Sequence, residues 1–323
     1  MKSKNQEYYM NIAIEEAKKG LTSTFPNPAV GCVIVKNNEI IAKGYHHKAG
    51  NPHAEIEALK QVNFDATDCD VYVTLEPCNH HGKTPPCSEA LIKANAKKVI
   101  IAVQDPNPQV DGSGIKKLKN NNIEVEVGVL ENKGKELLKY FTHQIKNKLP
   151  FITLKAAISL NGYINKNHGE RTILTGQKAY QNTLSLRKQH DAVLVGGNTI
   201  FTDNPSFKGM TKIILSNKEL PKSLNIFKNN DKIIQYSEQP IKDILKDLYN
   251  KGIGSIFVEG GNSIFNQFIQ ENLFNELILY FAPKMFSENN NKTNFYNGSI
   301  DINNLKVKEI KQFDNDIMIK YSN

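Results

Sequence analysis

Two short stretches hold most of the chemistry available to this chain. They are Pro52-His53-Ala54-Glu55 and Thr74-Leu75-Glu76-Pro77-Cys78, the latter continued by Asn79-His80-His81-Gly82-Lys83-Thr84-Pro85-Pro86-Cys87. His53, Cys78 and Cys87 offer one imidazole and two thiolates, the donor set of a zinc site with three protein ligands and a fourth position open to water. Glu55 follows His53 by two residues, where a carboxylate can reach water on the metal without binding the metal itself. A lone histidine is more often a satisfied surface or core residue, and cysteines are often small hydrophobes. Three ligands, a carboxylate and prolines in one fixed order set that bland reading aside. His80 and His81 have no partner motif and read as solvated loop residues. Cys32, inside the apolar run 30–35, reads as a buried thiol, and Cys69 has no assignment.

The order H-x-E followed by P-C-x-x-C is the signature of zinc nucleobase deaminases, in which the glutamate is the general acid and base. Here the second half is P-C-x8-C, the same elements at a longer spacing. The two stretches read as a deaminase site.

Those residues need elements to hold them. Residues 6–19 carry Tyr9, Ile12, Ala13 and Ala17 at helical spacing and stop at Gly20. The run 30–35, the Asn37-Asn38 turn and residues 40–42 predict a hairpin. Pro52 marks the start of a helix through His53, Glu55, Ile56, Ala58 and Leu59, and Pro86 opens one holding Cys87, Ala90, Leu91 and Ile92. Strands are expected at 71–75, 98–103 and 123–127, with helices at 115–120 and 131–145. Strands alternating with helices predict a mixed sheet between helical layers. His53 and Cys87 fall in first turns, where the positive helix end favours a thiolate and bound hydroxide.

The polar, proline-bearing stretch Lys146-Asn147-Lys148-Leu149-Pro150 predicts a domain boundary, dividing the chain into 1–147 and 148–323. A second alternation follows, with strands at 151–158, 191–195, 212–215, 232–235, 255–258 and 276–281. Helices are expected at 177–189, 241–250 and 262–270, and a closing antiparallel hairpin at 306–321. Two strands run into glycine loops, Gly196-Gly197-Asn198-Thr199 and Glu259-Gly260-Gly261-Asn262. Such loops suit a phosphate at a helix N-terminus and equally suit tight turns needing positive φ. Neither is G-x-G-x-x-G, so the Rossmann fingerprint is missing.

Length and composition bound the class. A chain of 323 residues, 39% apolar, holds two globular cores. No stretch reaches the ~18 apolar residues of a membrane span, and Glu7, Glu15 and Glu16 within the first apolar pattern argue against a targeting peptide. Four cysteines, two of them assigned to metal, are no disulfide framework. Cytoplasm is the expected compartment. The net charge is +8, yet Arg171 and Arg187 are the only arginines, a thin surface for nucleic acid. A phosphorylated small molecule suits that charge equally well.

Taken together, these residues resemble the bifunctional riboflavin-biosynthesis deaminase/reductase family across nearly the whole chain. The most specific segments are Asn27-Pro28-Ala29-Val30-Gly31-Cys32-Val33-Ile34-Val35, then 44–55, 72–87, and Gln104-Asp105-Pro106-Asn107-Pro108-Gln109-Val110. The long P-C-x8-C loop is itself characteristic of that family. The resemblance implies a cytidine-deaminase-like α/β/α domain followed by a dihydrofolate-reductase-like α/β domain. In the first, zinc on His53, Cys78 and Cys87 activates water against the amino-bearing C2 of a diaminopyrimidinone ribose phosphate. Glu55 is the catalytic proton carrier, and Asn27, His46 and Lys83 match substrate-contacting positions. In the second, NADPH reduces the ribosyl group to ribityl. Lys155, Arg187 and Glu259 match substrate positions, while Ala157, Ile173, Thr199, Asp203 and Gly261 match the cofactor side. A homo-oligomer is implied, without a nucleic-acid or membrane partner.

The reductase half also departs from the family pattern. Asn161 stands where the family has aspartate, and Gly169-Glu170-Arg171-Thr172-Ile173-Leu174-Thr175 lacks its serine and tryptophan. The arginine expected after Asp203-Asn204-Pro205 is replaced by Phe207-Lys208-Gly209-Met210, leaving Arg171, Lys208 or Lys212 to meet a phosphate. A deaminase with a degenerate second domain is therefore the alternative reading. An RNA-editing deaminase is a third, which the scarcity of arginine disfavours.

Overall fold

In the computed structural model the chain forms two compact units, Met1–Asn147 and Lys148–Asn323. The structure describes residues 2–80, 85–107, 110, 112–167, 169–287, 292–298 and 303–323. The N-terminal unit runs α1 (Lys2–Lys18), β1 (Gly31–Lys36), β2 (Glu39–Tyr45), α2 (Ala54–Gln61), β3 (Asp70–Leu75), α3 (Cys87–Lys93), β4 (Lys98–Val103), α4 (Ser113–Asn120), β5 (Glu124–Val127), α5 (Glu131–Leu137) and α6 (Lys139–Asn147). Its strands lie in the order β2-β1-β3-β4-β5. β1 is antiparallel to both β2 and β3, and β3, β4 and β5 are parallel. Asn37 and Asn38 turn the β1–β2 hairpin with φ of 52° and 67°, a conformation asparagine tolerates better than most residues.

Alternate residues of these strands face opposite layers, as the pleat requires. Cys32, Ile34, Val71 and Val73 pack with Ala54, Ala58 and Leu59 of α2, Leu91 of α3 and Leu118 of α4. Val33, Val35, Tyr72 and Ile100 pack with Tyr9, Met10, Ala13 and Ile14 of α1. The result is an α/β/α sandwich. One expected helix is broken: residues 131–145 form α5 and α6, separated at Leu138, whose φ of −90° and ψ of 4° interrupt the ladder. The apolar spacing runs through Leu138 because that side chain is itself buried, so the pattern carries no sign of the break.

The C-terminal unit runs β6 (Phe151–Ser159), α7 (Gln177–Arg187), β7 (Ala192–Gly196), α8 (Gly197–Asp203), β8 (Thr211–Leu215), β9 (Ile233–Tyr236), α9 (Ile241–Asn250), β10 (Ser255–Val258), α10 (Asn262–Gln270), β11 (Glu276–Ala282), β12 (Lys306–Phe313) and β13 (Asp316–Ser322). The strand order is β12-β13-β11-β6-β10-β7-β8-β9. From β11 to β9 all pairings are parallel, and β13 and β12 close the sheet as an antiparallel hairpin. One face of β6, β7 and β10 packs on Ile244, Leu248, Phe265 and Phe268 of α9 and α10. The short helix α8 was not legible in the sequence, since it begins inside the glycine loop after β7.

Gly44 decides how closely α2 approaches the sheet. A Cβ at this position would lie 2.4 Å from the Ala54 carbonyl oxygen and 2.6 Å from the Ala58 nitrogen. Gly44→Ala is therefore expected to push α2 off β2 and to cost about 1–3 kcal/mol. Urea denaturation of the purified variant beside the parent chain measures it, and an unchanged midpoint would contradict this packing.

Candidate functional site

The sheet of the N-terminal unit brings the three predicted ligands together. His53 is the N-cap residue of α2, with φ −73° and ψ 165°; the helix begins at Ala54, two residues later than the start at Pro52 that the sequence pattern suggests, so His53 stands just before its first turn. Cys87 is the first residue of α3, after Pro86 at its cap. Cys78 lies three residues beyond the end of β3. The candidate ligand atoms all fall within 4.8 Å of one another. Nδ1 is the histidine nitrogen facing the sulfurs, 3.2 Å from Cys87 Sγ and 3.6 Å from Cys78 Sγ. Two sulfurs and one nitrogen around so small a space suit tetrahedral zinc with one position left open.

The electrostatics agree with that use. The Cys87 thiol donates to Cys78, and with the His53 ring and the Cys87 backbone amide it holds Cys78 down to about 4 despite burial. That amide, at the start of α3, lies 3.4 Å from Cys78 Sγ. Cys87 is pushed the other way by its bond to Cys78 and by burial. His53 is raised, chiefly by its hydrogen bond to Cys78. Glu55 is buried at 3% exposure, and desolvation lifts its carboxyl to about 7 against the opposing pull of His53. A carboxyl so placed gives up and takes back a proton near neutrality.

Asn27 and His46 form a second layer of this site. The Asn27 amide lies 3.1 Å from His46 Nε2, and His46 Nδ1 lies 3.1 Å from the Pro52 carbonyl. With the asparagine amide donating, Nε2 is the acceptor and Nδ1–H donates to Pro52. Burial lowers the His46 pKa, in keeping with this neutral tautomer. Its ring stands edge-on to His53 at 5.2 Å between centroids. His80 is exposed, as expected of a loop residue. His81 and the expected substrate contact Lys83 lie outside the described residues. Cys32 and Cys69 are buried free thiols.

In the C-terminal unit Lys155, Arg187, Asp203 and Glu259 form one cluster of charges. Lys155 on β6 is lowered by burial, with Glu259 and Asp203 opposing and Arg187 adding to the shift. Its ammonium lies 5.5 Å from the centre of the Tyr280 ring. Arg187 donates through Nε to Glu259 and stacks 4.9 Å from the Phe207 ring centre. Asp203 is raised by burial, with Arg171 the first of the nearby charges lowering it. Tyr280, whose hydroxyl hydrogen-bonds Asn182, and Phe207 were not singled out in the sequence, because aromatic residues carry no spacing signal of their own.

Beside this cluster lies a cavity of about 1070 Å³ at the carboxyl ends of β7 to β10, where open parallel sheets bind ligands. Thr199, Asp203 and Gly261 line it with Gly196 and Gly197. A Cβ on Gly261 would sit 3.1 Å from Thr199 Oγ1, so a side chain here would crowd the wall that the two residues share. The volume and the glycine-lined wall fit a dinucleotide. Ala157 and Ile173 are not brought to that lining. Ala157 packs beside Tyr280 and Ile278, and Ile173 is 71% exposed. Lys212 does not meet a phosphate: its side chain is fully buried, donating to the Ile226 carbonyl (2.7 Å) and to Asp231 (3.1 Å). A lysine in a strand sequence does not declare that it points inward.

Comparison with known proteins gives the lineage. The family model described as the RibD C-terminal domain matches residues 150–319, and that of the cytidine and deoxycytidylate deaminase zinc-binding region matches 3–103. The riboflavin biosynthesis protein RibD of Bacillus amyloliquefaciens is 38% identical, covering 86% of this chain and 84% of its own. That of Escherichia coli is 33% identical, covering 86% and 88%. The crystal structure of a diaminohydroxyphosphoribosylaminopyrimidine deaminase/5-amino-6-(5-phosphoribosylamino)uracil reductase from Thermotoga maritima is similar at a TM-score of 0.88 and 33% identity, covering 100% of this chain and 99% of that one. Acinetobacter baumannii RibD gives 0.85 and 36%, with 99% of each chain covered. With both domains matched and identity above 30% over most of its length, the chain belongs to the riboflavin biosynthesis protein RibD family.

Proposed function

We infer that the chain is a bifunctional enzyme of riboflavin biosynthesis, a zinc-dependent deaminase in 1–147 and an NADPH-dependent reductase in 148–323. The substrate is a diaminopyrimidinone ribose phosphate, deaminated on its ring and then reduced from ribosyl to ribityl. One observation carries the reading: His53, Cys78 and Cys87 converge within 4.8 Å beside the buried Glu55, in a chain whose other half is a RibD reductase domain.

His53, Cys78 and Cys87 would hold the zinc, which would supply a Lewis acid to make water nucleophilic at neutral pH. Glu55 would pass one water proton to the ring nitrogen and the second, released as the added hydroxyl becomes the carbonyl, to the amine that leaves as ammonia. Asn27, its amide nitrogen committed to His46, turns its carbonyl oxygen to a donor on the substrate. In the reductase half NADPH supplies hydride, and Thr199, Asp203 and Gly261 border the cavity that suits it. Lys155 and the Arg187–Glu259 pair hold the substrate, with Lys155 a donor to the ribosyl oxygen that gains a proton as C1 gains hydride. Arg171, exposed and close enough to lower Asp203, takes the phosphate. The working charge cluster favours an active reductase over a degenerate domain.

The same reading places the enzyme in the cytoplasm, where its four free thiols stay reduced. No helix among the described residues is long and apolar enough to cross a membrane. We also propose a homo-oligomer. The edge strand β12 leaves Val307 and Ile310 at 56% and 63% exposure, and an unpaired edge with apolar side chains invites a second copy.

The direct test follows ammonia release and NADPH oxidation together on zinc-loaded protein. Equal rates are expected once the first product accumulates; ammonia without NADPH oxidation would leave only the deaminase. Glu55→Gln should keep zinc and lose about 10²–10⁴-fold in deamination, whereas His53→Ala should lose the metal. Arg171→Ala should raise the reductase KM for the phosphorylated substrate about tenfold or more, and an unchanged KM removes Arg171 from the phosphate site. Burial lowers the Lys155 pKa, so its charge is lost at a lower pH than that of an ordinary lysine. Reductase kcat/KM should therefore fall early on the alkaline side. Lys155→Arg should abolish that alkaline limb, and a limb that persists would assign it elsewhere.

A further inference from the structure

Glu76 is the one acidic residue of the Thr74-Leu75-Glu76-Pro77-Cys78 segment, and neither half-reaction above uses it. Its side chain is buried at 3% exposure. Among the described residues no cation partners it; four backbone amides do. Oε2 accepts from Asp105 N (3.2 Å) and Gly112 N (3.1 Å), and Oε1 accepts from Gly114 N (2.9 Å) and Ile115 N (3.2 Å). Gly112 is the N-cap of α4, in the left-handed region at φ 80°, and brings no capping side chain of its own. Glu76 supplies the missing acceptor from 36 residues away in sequence, and its charge sits at the positive end of the helix.

The same contact holds the chain that delivers a metal ligand. The Glu76 amide donates to the Val103 carbonyl (2.9 Å), extending the β3–β4 pairing by one step past Leu75. Pro77 is pressed against α4: a Cβ on Gly114 would lie 2.0 Å from the Pro77 carbonyl oxygen. Beyond Cys78, Asn79 donates to the Ser113 carbonyl at 3.4 Å and accepts from Ser88 Oγ at 3.1 Å. Cys78 is thus the short span between two anchors on the first turn of α4. We propose that Glu76 is a positioning residue for the deaminase metal centre, fixing Cys78 relative to His53 and Cys87 by binding the start of α4. The proposal rests on the deaminase reading of the N-terminal unit.

A glutamine would fill the same space but does not serve the same donors. Its single oxygen satisfies one pair of amides, and its NH₂ faces the other pair, donor against donor. The strain falls on the segment carrying Cys78. Groups that orient metal ligands typically change metal affinity or activity 10–100-fold when lost.

The experiment uses the full-length chain as wild type, Glu76→Gln and Asn79→Ala. Zinc affinity is read by competition with a chromophoric chelator, and ligand geometry by the visible spectrum of the cobalt(II)-substituted protein. Far-UV circular dichroism and cooperative thermal unfolding serve as the folding control for the N-terminal unit, and NADPH affinity for the other half. Glu76→Gln is expected to bind NADPH like wild type, to bind zinc 10–100-fold more weakly, and to shift the cobalt bands. Asn79→Ala removes only the second anchor and should weaken zinc severalfold; it decides the question alone if Glu76→Gln does not fold. Variants that bind zinc with wild-type affinity and spectrum, losing only thermal stability, would reduce Glu76 to a helix cap and overturn the proposal. Wild-type protein that binds no zinc would overturn the deaminase reading and this proposal together.

Discussion

Glu55, Cys78 and Cys87 place three acidic groups in one space against the imidazole of His53. Like charges at such range, out of water, are costly unless something positive offsets them. The fold meets that cost with backbone dipoles first: α3 begins at Cys87 and directs its amide at Cys78, and α2 begins beside His53. A divalent cation would complete the compensation, and the two sulfurs and Nδ1 would be the atoms to hold it. The sheet exists, in this sense, to hold two helix starts and one strand end against each other. Gly44 and Gly114, where a Cβ would strike backbone, show how little room that convergence leaves.

The C-terminal unit solves a related problem with side chains alone. Lys155, Arg187, Glu259 and Asp203 carry two charges of each sign in one partly buried cluster. Removing either member of the Arg187–Glu259 pair would leave the other partly buried and unpaired. The aromatic rings of Tyr280 and Phe207 lie against the two cations, which offsets part of the cost of taking Lys155 and the Arg187–Glu259 pair out of water. The glycine-lined cavity opens at the carboxyl ends of the same strands, so the cluster and the cofactor space are products of one parallel sheet. Divergence in the residues around 161–175 and 207–210 leaves this arrangement in place.

Composition alone was a poor guide to where the charge goes. A net charge of +8 says nothing of Lys212, which is spent inside the protein on Asp231 and a carbonyl, or of the i,i+3 and i,i+4 pairs of α1 and α9. Which lysines remain for a phosphate is a question about direction, and only packing sets direction.

By itself the sequence picked out His53, Cys78 and Cys87 as one candidate donor set with Glu55 beside it, the order of nearly every strand and helix, and a boundary that coincides with the division between the two units. Each rests on a local signal: residue type at short spacing, alternation of period two, apolar recurrence at helical period, or a turn residue. The break between α5 and α6 and the helix α8 escaped, because a buried Leu138 keeps the helical pattern intact and a glycine loop conceals a helix start. Tertiary structure alone decided which nitrogen of His53 faces the sulfurs, which asparagine sets the His46 tautomer, and that Glu76 caps a helix begun at Ser113. It also decided that Lys212 points inward and Arg171 lies near Asp203. Those relations join residues far apart in the chain, and they follow from where the sheet places strand ends, which no local spacing records.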